Sequence, residues 1–135
     1  MINLDFSSLV LMERDKETKI FIKELGSYEV GDGSEYISKM YFEEGIVNIF
    51  FDTKEDVEEW EYSAIYDLFN EDIFSKRGYD IEFVDDEYNP TWVITFDFED
   101  DYNVMKEKIN DICDLIEAEM KAVFENIKGK EEEYK

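Results

Sequence analysis

The chain predicts an α+β fold: a mainly antiparallel sheet of about six strands, in the order ββββ-α-ββ-α, with two helices packed on one face. Three observations carry this. Residues 6–52 divide into four short runs rich in β-branched and aromatic side chains, separated by the turn-prone stretches ERDKET, GDGS and EEG. Residues 79–98 form two further alternating runs around DEYNP, and residues 101–128 carry apolar side chains at helical spacing.

In chain order, the predicted strands are Phe6–Met12, Lys19–Leu25, Tyr36–Phe42 and Ile46–Asp52, with successive antiparallel hairpins as the simplest connection. Both faces of these strands carry large groups: Ile20 and Ile22 alternate with Phe21, and Ile46 and Phe50 with Val47, Ile49 and Phe51. A sheet with one face in water needs only one apolar face, so the surplus predicts a second covering element or a partner. Thr53 is the expected helix cap, accepting the backbone N–H of Asp56, with Glu55 and Asp56 at the positive end of the helix dipole. Val57, Trp60, Ala64 and Leu68 then share one helix face with Ile65 at its edge; Glu61 projects among them, and Tyr62, Tyr66 and Phe69 flank the stripe.

Two more strands follow, Tyr79–Asp85 and Thr91–Phe98, with Pro90 just ahead of the strand it could not enter. Tyr79, Ile81, Phe83, Trp92, Ile94 and Phe96 point one way, and Asp80, Glu82 and Asp97 the other. The final helix, Asp101–Lys128, aligns Met105, Ile109, Ile112, Ile116, Met120, Val123 and Ile127, with Cys113 and Phe124 alongside and Gly129 at its end. At 1.5 Å per residue it is ~40 Å long, so its end is expected to overhang the sheet.

The 135 residues suit one domain, placed at 1–128, with 129–135 as a disordered acidic tail. Hydrophobic residues make up 44% and aromatics 16%, enough apolar mass to fold despite 38% charge. The one cysteine excludes an internal disulfide and fits a reducing compartment, so cytoplasmic localisation is expected. The start, MINLDFSSLVLMERD, lacks a basic leader and breaks its apolar run early, which predicts neither a signal peptide nor a membrane span. Net charge is −23, and residues 79–103 hold nine carboxylates and no base. Such a field repels nucleic acids and anionic membranes, excluding both as direct partners, and speeds encounter with basic proteins or cations.

The absence of histidine removes Ser-His-Asp and Cys-His catalysis and histidine zinc sites, and neither common phosphate-binding glycine motif occurs. The GDGS stretch reads as a turn. Cys113 reads as a small core residue whose thiol is kept protonated by Asp111 and Asp114. Hard-oxygen ligands cluster at Asp85, Asp86 and Glu87, and again at Glu99, Asp100 and Asp101, but at opposite ends of one strand and without an EF-hand pattern. Weak cation binding is therefore expected rather than a shared ion, and no cofactor. Glu61 reads either as a desolvated carboxyl with a raised pKa or, more simply, as a group at a solvated stripe edge.

The segments EEWEYSAIYDLFN (58–70) and DEYNPTW (86–92) resemble small acidic proteins of a family of unknown function from clostridial-type bacteria. The resemblance implies no activity and no site residues. The residues themselves predict a protein that is not an enzyme but binds a basic protein or cationic surface. Candidate contact residues are Glu58, Glu59, Glu61, Tyr62, Tyr66, Phe69, Asp80, Glu82 and Asp97. Self-association as a homodimer, through the overhanging helix or the outer sheet face, is a further expectation. The alternatives are a nucleic-acid mimic that inhibits a DNA- or RNA-binding protein, and a weak divalent-cation-binding protein.

Overall fold

Alternation in the β-branched runs and the 3.6-residue period of the last run resolve into one six-stranded sheet and a helical layer on one of its faces. The computed structural model describes residues 7–135. Its strands are β1 Ser7–Arg14, β2 Phe21–Val30, β3 Ile37–Glu43, β4 Ile46–Asp52, β5 Asp80–Val84 and β6 Thr91–Asp97. Its helices are α1 Glu59–Leu68, α2 Asp72–Ser75, α3 Tyr102–Asn126 and α4 Glu131–Tyr134, and a 3-10 turn spans Asp32–Tyr36. Phe6, the expected start of the first strand, lies outside the described residues.

The sheet runs β2-β1-β3-β4-β6-β5. Four pairings are antiparallel, but β1 and β3 run parallel, so the sheet is mixed and the expected chain of successive hairpins fails between β2 and β3. The GDGS stretch explains the crossover. Instead of a tight hairpin turn it forms the 3-10 segment, which leaves the β2 edge, passes beneath α3 and delivers the chain to the far side of β1. Gly33 is buried there, so close to α3 that a Cβ would overlap the carbonyl oxygen of Cys113.

The inward stripe of α3 is buried throughout: Met105, Ile109, Ile112, Ile116, Met120 and Val123 are fully covered, with Ile127 nearly so. These residues meet Leu11, Met40, Val47, Ile49, Phe51, Trp92 and Ile94 from the sheet. Burying each large aliphatic side chain contributes about 1.5–3 kcal/mol, more than any exposed ion pair in the molecule can. The expected overhang of this helix is absent as an apolar surface. Its C-terminal turns are met by α1 and by a return of the chain through Gly129 (φ 78°) into α4.

That return corrects the reading of 129–135 as a disordered tail. Residues Glu131–Tyr134 form a helical turn against α1, where Tyr134 packs at the core margin and its hydroxyl donates to Asp67 Oδ2 at 2.6 Å. One anchoring aromatic supplies what the acidic neighbours lack.

The opposite face of the sheet carries no helix; cations shelter Tyr41 and Phe50 there, while Ile20, Phe21 and Ile22 at the start of β2 stay 51–62% exposed. The Arg14 guanidinium lies 3.7 Å from the Tyr41 ring centre, and Lys39 Nζ lies 4.3 Å from that of Phe50. The alkyl stems cover the rings while the charges stay in water.

Gly33→Ala is expected to destabilise the protein by about 2–3 kcal/mol, since backbone rather than a flexible side chain blocks the new methyl. Gly31→Ala, with nothing within 4 Å of its Cβ, should leave the urea midpoint nearly unchanged. Tyr134→Ala should cost about 1–2 kcal/mol through lost packing and one hydrogen bond, and should expose the C-terminal turn to limited proteolysis.

Candidate functional site

Helix α1 begins later than its composition predicts. Lys54 adopts a left-handed φ of 66°, which interrupts any helix from Thr53, and the buried Thr53 hydroxyl donates to the Glu55 carbonyl at 2.8 Å instead of capping. Glu58 takes over as the cap. Glu61 turns back to accept the Glu58 backbone N–H at 2.8 Å in a capping box. Glu61 is thus a structural cap rather than a carboxylate stranded in the apolar stripe. Glu58 also accepts from the Trp60 indole at 3.0 Å.

The flanking aromatics separate into different roles. Phe69, one of the candidate contact residues, is core: it is 7% exposed and stacked on Trp92 with ring centres 4.1 Å apart. The chain leaves helical geometry at this residue (ψ 128°), which turns its ring under the sheet instead of along the helix flank. Tyr62 is half-buried and donates to the Glu87 carbonyl at 3.2 Å, tying the β5–β6 hairpin to α1. Its hydroxyl is held above its usual range first by burial and then by Asp85, Asp86 and Glu87. Tyr66 remains 58% exposed, braced edge-on against Phe83 at 4.6 Å.

The acidic residues also divide. Glu58 and Glu59 border a hollow that Trp60, Ser63 and the chain's own Tyr134 and Lys135 complete, so the tail already faces that surface. Asp80 and Asp97 border a mixed-charge hollow with Arg77 and Lys108. Asp85, Asp86 and Glu87 lie at one end of β6 and Glu99, Asp100 and Asp101 beyond the other, where Asp101 caps α3 by accepting from Asn103 and Val104. Among the described residues, no three acidic or cysteine side chains gather closely enough to hold a metal ion.

What the fold does assemble is an open groove of about 650 Å³ beside β5, lined by Tyr66, Asp67, Phe69, Asn70, Glu71, Asp72, Ile81, Glu82 and Phe83. Of the earlier candidates it gathers Tyr66, Phe69 and Glu82. Asp67, Glu71 and Asp72 line this space from the helix side and Glu82 borders it from the outer face of β5, with no lysine or arginine in the lining. Its aromatic walls hold water back from one side, and Glu71 is pushed above the ordinary carboxylate range first by burial and then by Asp72, against the Trp92 indole that lowers it.

The loop that forms the groove's mouth is pinned from below. Glu119 on α3, only 8% exposed, accepts the Asn70 backbone N–H at 2.9 Å. Its pKa is raised by burial, which this hydrogen bond partly opposes. A second tether joins the next segment to α3, where Tyr79 and Arg77 donate to the two Asp111 oxygens at 2.9 and 2.6 Å. Sequence reasoning passed over Glu71, Asp72 and Glu119. The one available signal was that Glu119 sits three residues after Ile116 and four before Val123, a carboxylate on the buried stripe.

Cys113 is buried, and its thiol is pushed up to about 12 by burial and then by Asp114 and Glu117. It is held as a thiol. No helix among the described residues is long and apolar enough to cross a membrane.

A mixed six-stranded sheet with helices on one face and an acidic groove at one edge defines a small α+β protein. The chain belongs to the family of unknown function DUF6762, whose family model matches residues 4–135. No curated protein and no solved structure matches it.

Glu119→Gln is expected to stabilise the protein at neutral pH, because the amide oxygen still accepts from Asn70 without burying a charge. The sign follows from linkage: a carboxyl with a raised folded-state pKa adds stability below its unfolded value and loses it as pH rises through the folded one. Urea midpoints should therefore favour the variant above the ordinary carboxylate range, with the gap closing as pH falls below about 4.

Proposed function

We propose that this protein is a noncatalytic binding protein whose partner is a basic protein. The observation that supports this most directly is the groove beside β5, lined by Asp67, Glu71 and Asp72 from the helix side and bordered by Glu82 from the outer face, with no lysine or arginine in its lining. Elsewhere many carboxylates are neutralised locally, as in Arg14–Glu43, Lys16–Glu44 and Lys54–Glu35. An uncompensated acidic hollow strengthens the approach of a cation and, with Tyr66 and Phe83 beside it, offers an aromatic surface for the alkyl stem of lysine or arginine. The lone buried Cys113 suits a reducing compartment, in keeping with cytoplasmic residence.

The test is affinity capture from native lysate at low and high salt, with captured proteins identified by mass spectrometry. Asp72→Lys with Glu82→Lys alters the groove, and Glu107→Lys with Asp114→Lys makes the same net change on the exposed side of α3. Basic proteins held by the wild type should be lost at high salt and recovered roughly three- to tenfold less by the groove variant. Equal loss with both variants, or capture of acidic proteins, would sink the reading.

A further inference from the structure

We infer that β5 is a docking edge at which an extended basic segment of the partner adds to the sheet as a further strand. The inference rests on the proposed function and assigns it a place and a binding mode.

The two edges of the sheet are β2 and β5, and the structure treats them differently. On β2, the α3 side chains of Tyr102 and Asn110 donate to the carbonyls of Ser27 and Glu29 at 2.9 and 3.0 Å. Two register shifts against β1 then bend the other half of that strand. Side-chain donors and bulges are both ways of closing an edge to further pairing. The β5 edge has neither. Its register with β6 runs from Asp80↔Thr95 to Val84↔Thr91 without a shift. Among the described residues, no helix, loop or side chain hydrogen-bonds to the backbone of Asp80–Val84 apart from its β6 partner. Every other N–H and C=O along it is therefore left for water or an incoming strand.

The surroundings select the occupant. Pairing of β5 with a second copy's β5 would set the Asp80 and Glu82 pairs against one another, and like charges across strands are destabilising. A strand carrying lysine or arginine reverses that sign. Its side chains on the helix side would enter the groove between Tyr66, Phe83 and the carboxylates of Glu71 and Asp72, while the alternate ones would pass Asp80 and Glu82 on the outer face. The backbone supplies hydrogen bonds and the alternating side chains supply selectivity, as in other strand-addition complexes.

The experiment uses the full chain and a short fluorescein-labelled peptide alternating lysine and valine. Two further versions carry N-methyl groups on one or the other alternate set of backbone amides. Edge pairing engages only one set of N–H groups, so one methylated peptide should bind at least ~tenfold more weakly and the other nearly as well as the parent. Hydrogen exchange should slow within residues 80–84, and Asp72→Lys with Glu82→Lys should weaken all binding. Equal binding of both methylated peptides, or protection away from β5, overturns strand addition while leaving a basic partner in place. So does failure of the parent peptide to bind when basic proteins are still captured from lysate through the groove. Loss of both peptide binding and salt-dependent capture overturns the proposed function itself.

Discussion

The burial of one apolar stripe of α3 against one face of the sheet is the constraint from which the rest of the molecule follows. Six residues of that stripe are wholly covered, and each buried aliphatic side chain contributes about 1.5–3 kcal/mol. Exposed ion pairs contribute at most about 1 kcal/mol apiece, and a net charge of −23 pushes the compact state apart. The chain therefore holds together by packing, and its carboxylates are tolerated because, apart from Glu119 with its Asn70 hydrogen bond, they lie outside that layer. The close passage of Gly33 under the Cys113 carbonyl is part of the same constraint, since a side chain there would lift α3 off the crossover segment.

With every helix on one side of the sheet, edges and the outer face have to be handled by other means. Cationic stems of Arg14 and Lys39 roof Tyr41 and Phe50, and α3 reaches over to satisfy the β2 edge. On the far side, α1 ends short of β5, and the Asn70 loop, fastened by Glu119, leaves a groove along that strand. The groove is lined from two stretches without lysine or arginine, 55–75 and 78–105, so an architectural gap and an electrostatic excess occupy the same place. That coincidence is what makes β5 a better candidate for partner binding than the acidic start of α1, where the tail already lies.

The element types were legible because each depends on a repeat within a few neighbouring residues. All seven stripe positions of α3 and the inward residues Trp92, Ile94 and Phe96 are buried as the periodicity predicts. The misreadings fall where a residue had two competing partners. Thr53 looks like a cap by composition, but Lys54's backbone and the Glu58–Glu61 box displace it. Phe69 looks like a flank on a helical wheel, but the helix stops there and the ring turns inward onto Trp92. The last seven residues look too polar to order, yet the single Tyr134 finds Asp67 and the core margin at once.

By itself the sequence determined the number and kind of the main elements, their inward faces, the acidic exterior and the lack of histidine chemistry, because these depend on local spacing and composition. Only the tertiary structure decided the parallel β1–β3 pairing, the docking of the tail, the buried Glu119 anchor and the open β5 edge. Strand neighbours are chosen by contacts between residues far apart in the chain, and no local period records which edge a helix will cover. The same acidic residues therefore become caps, tethers or a groove lining according to what the fold brings against them.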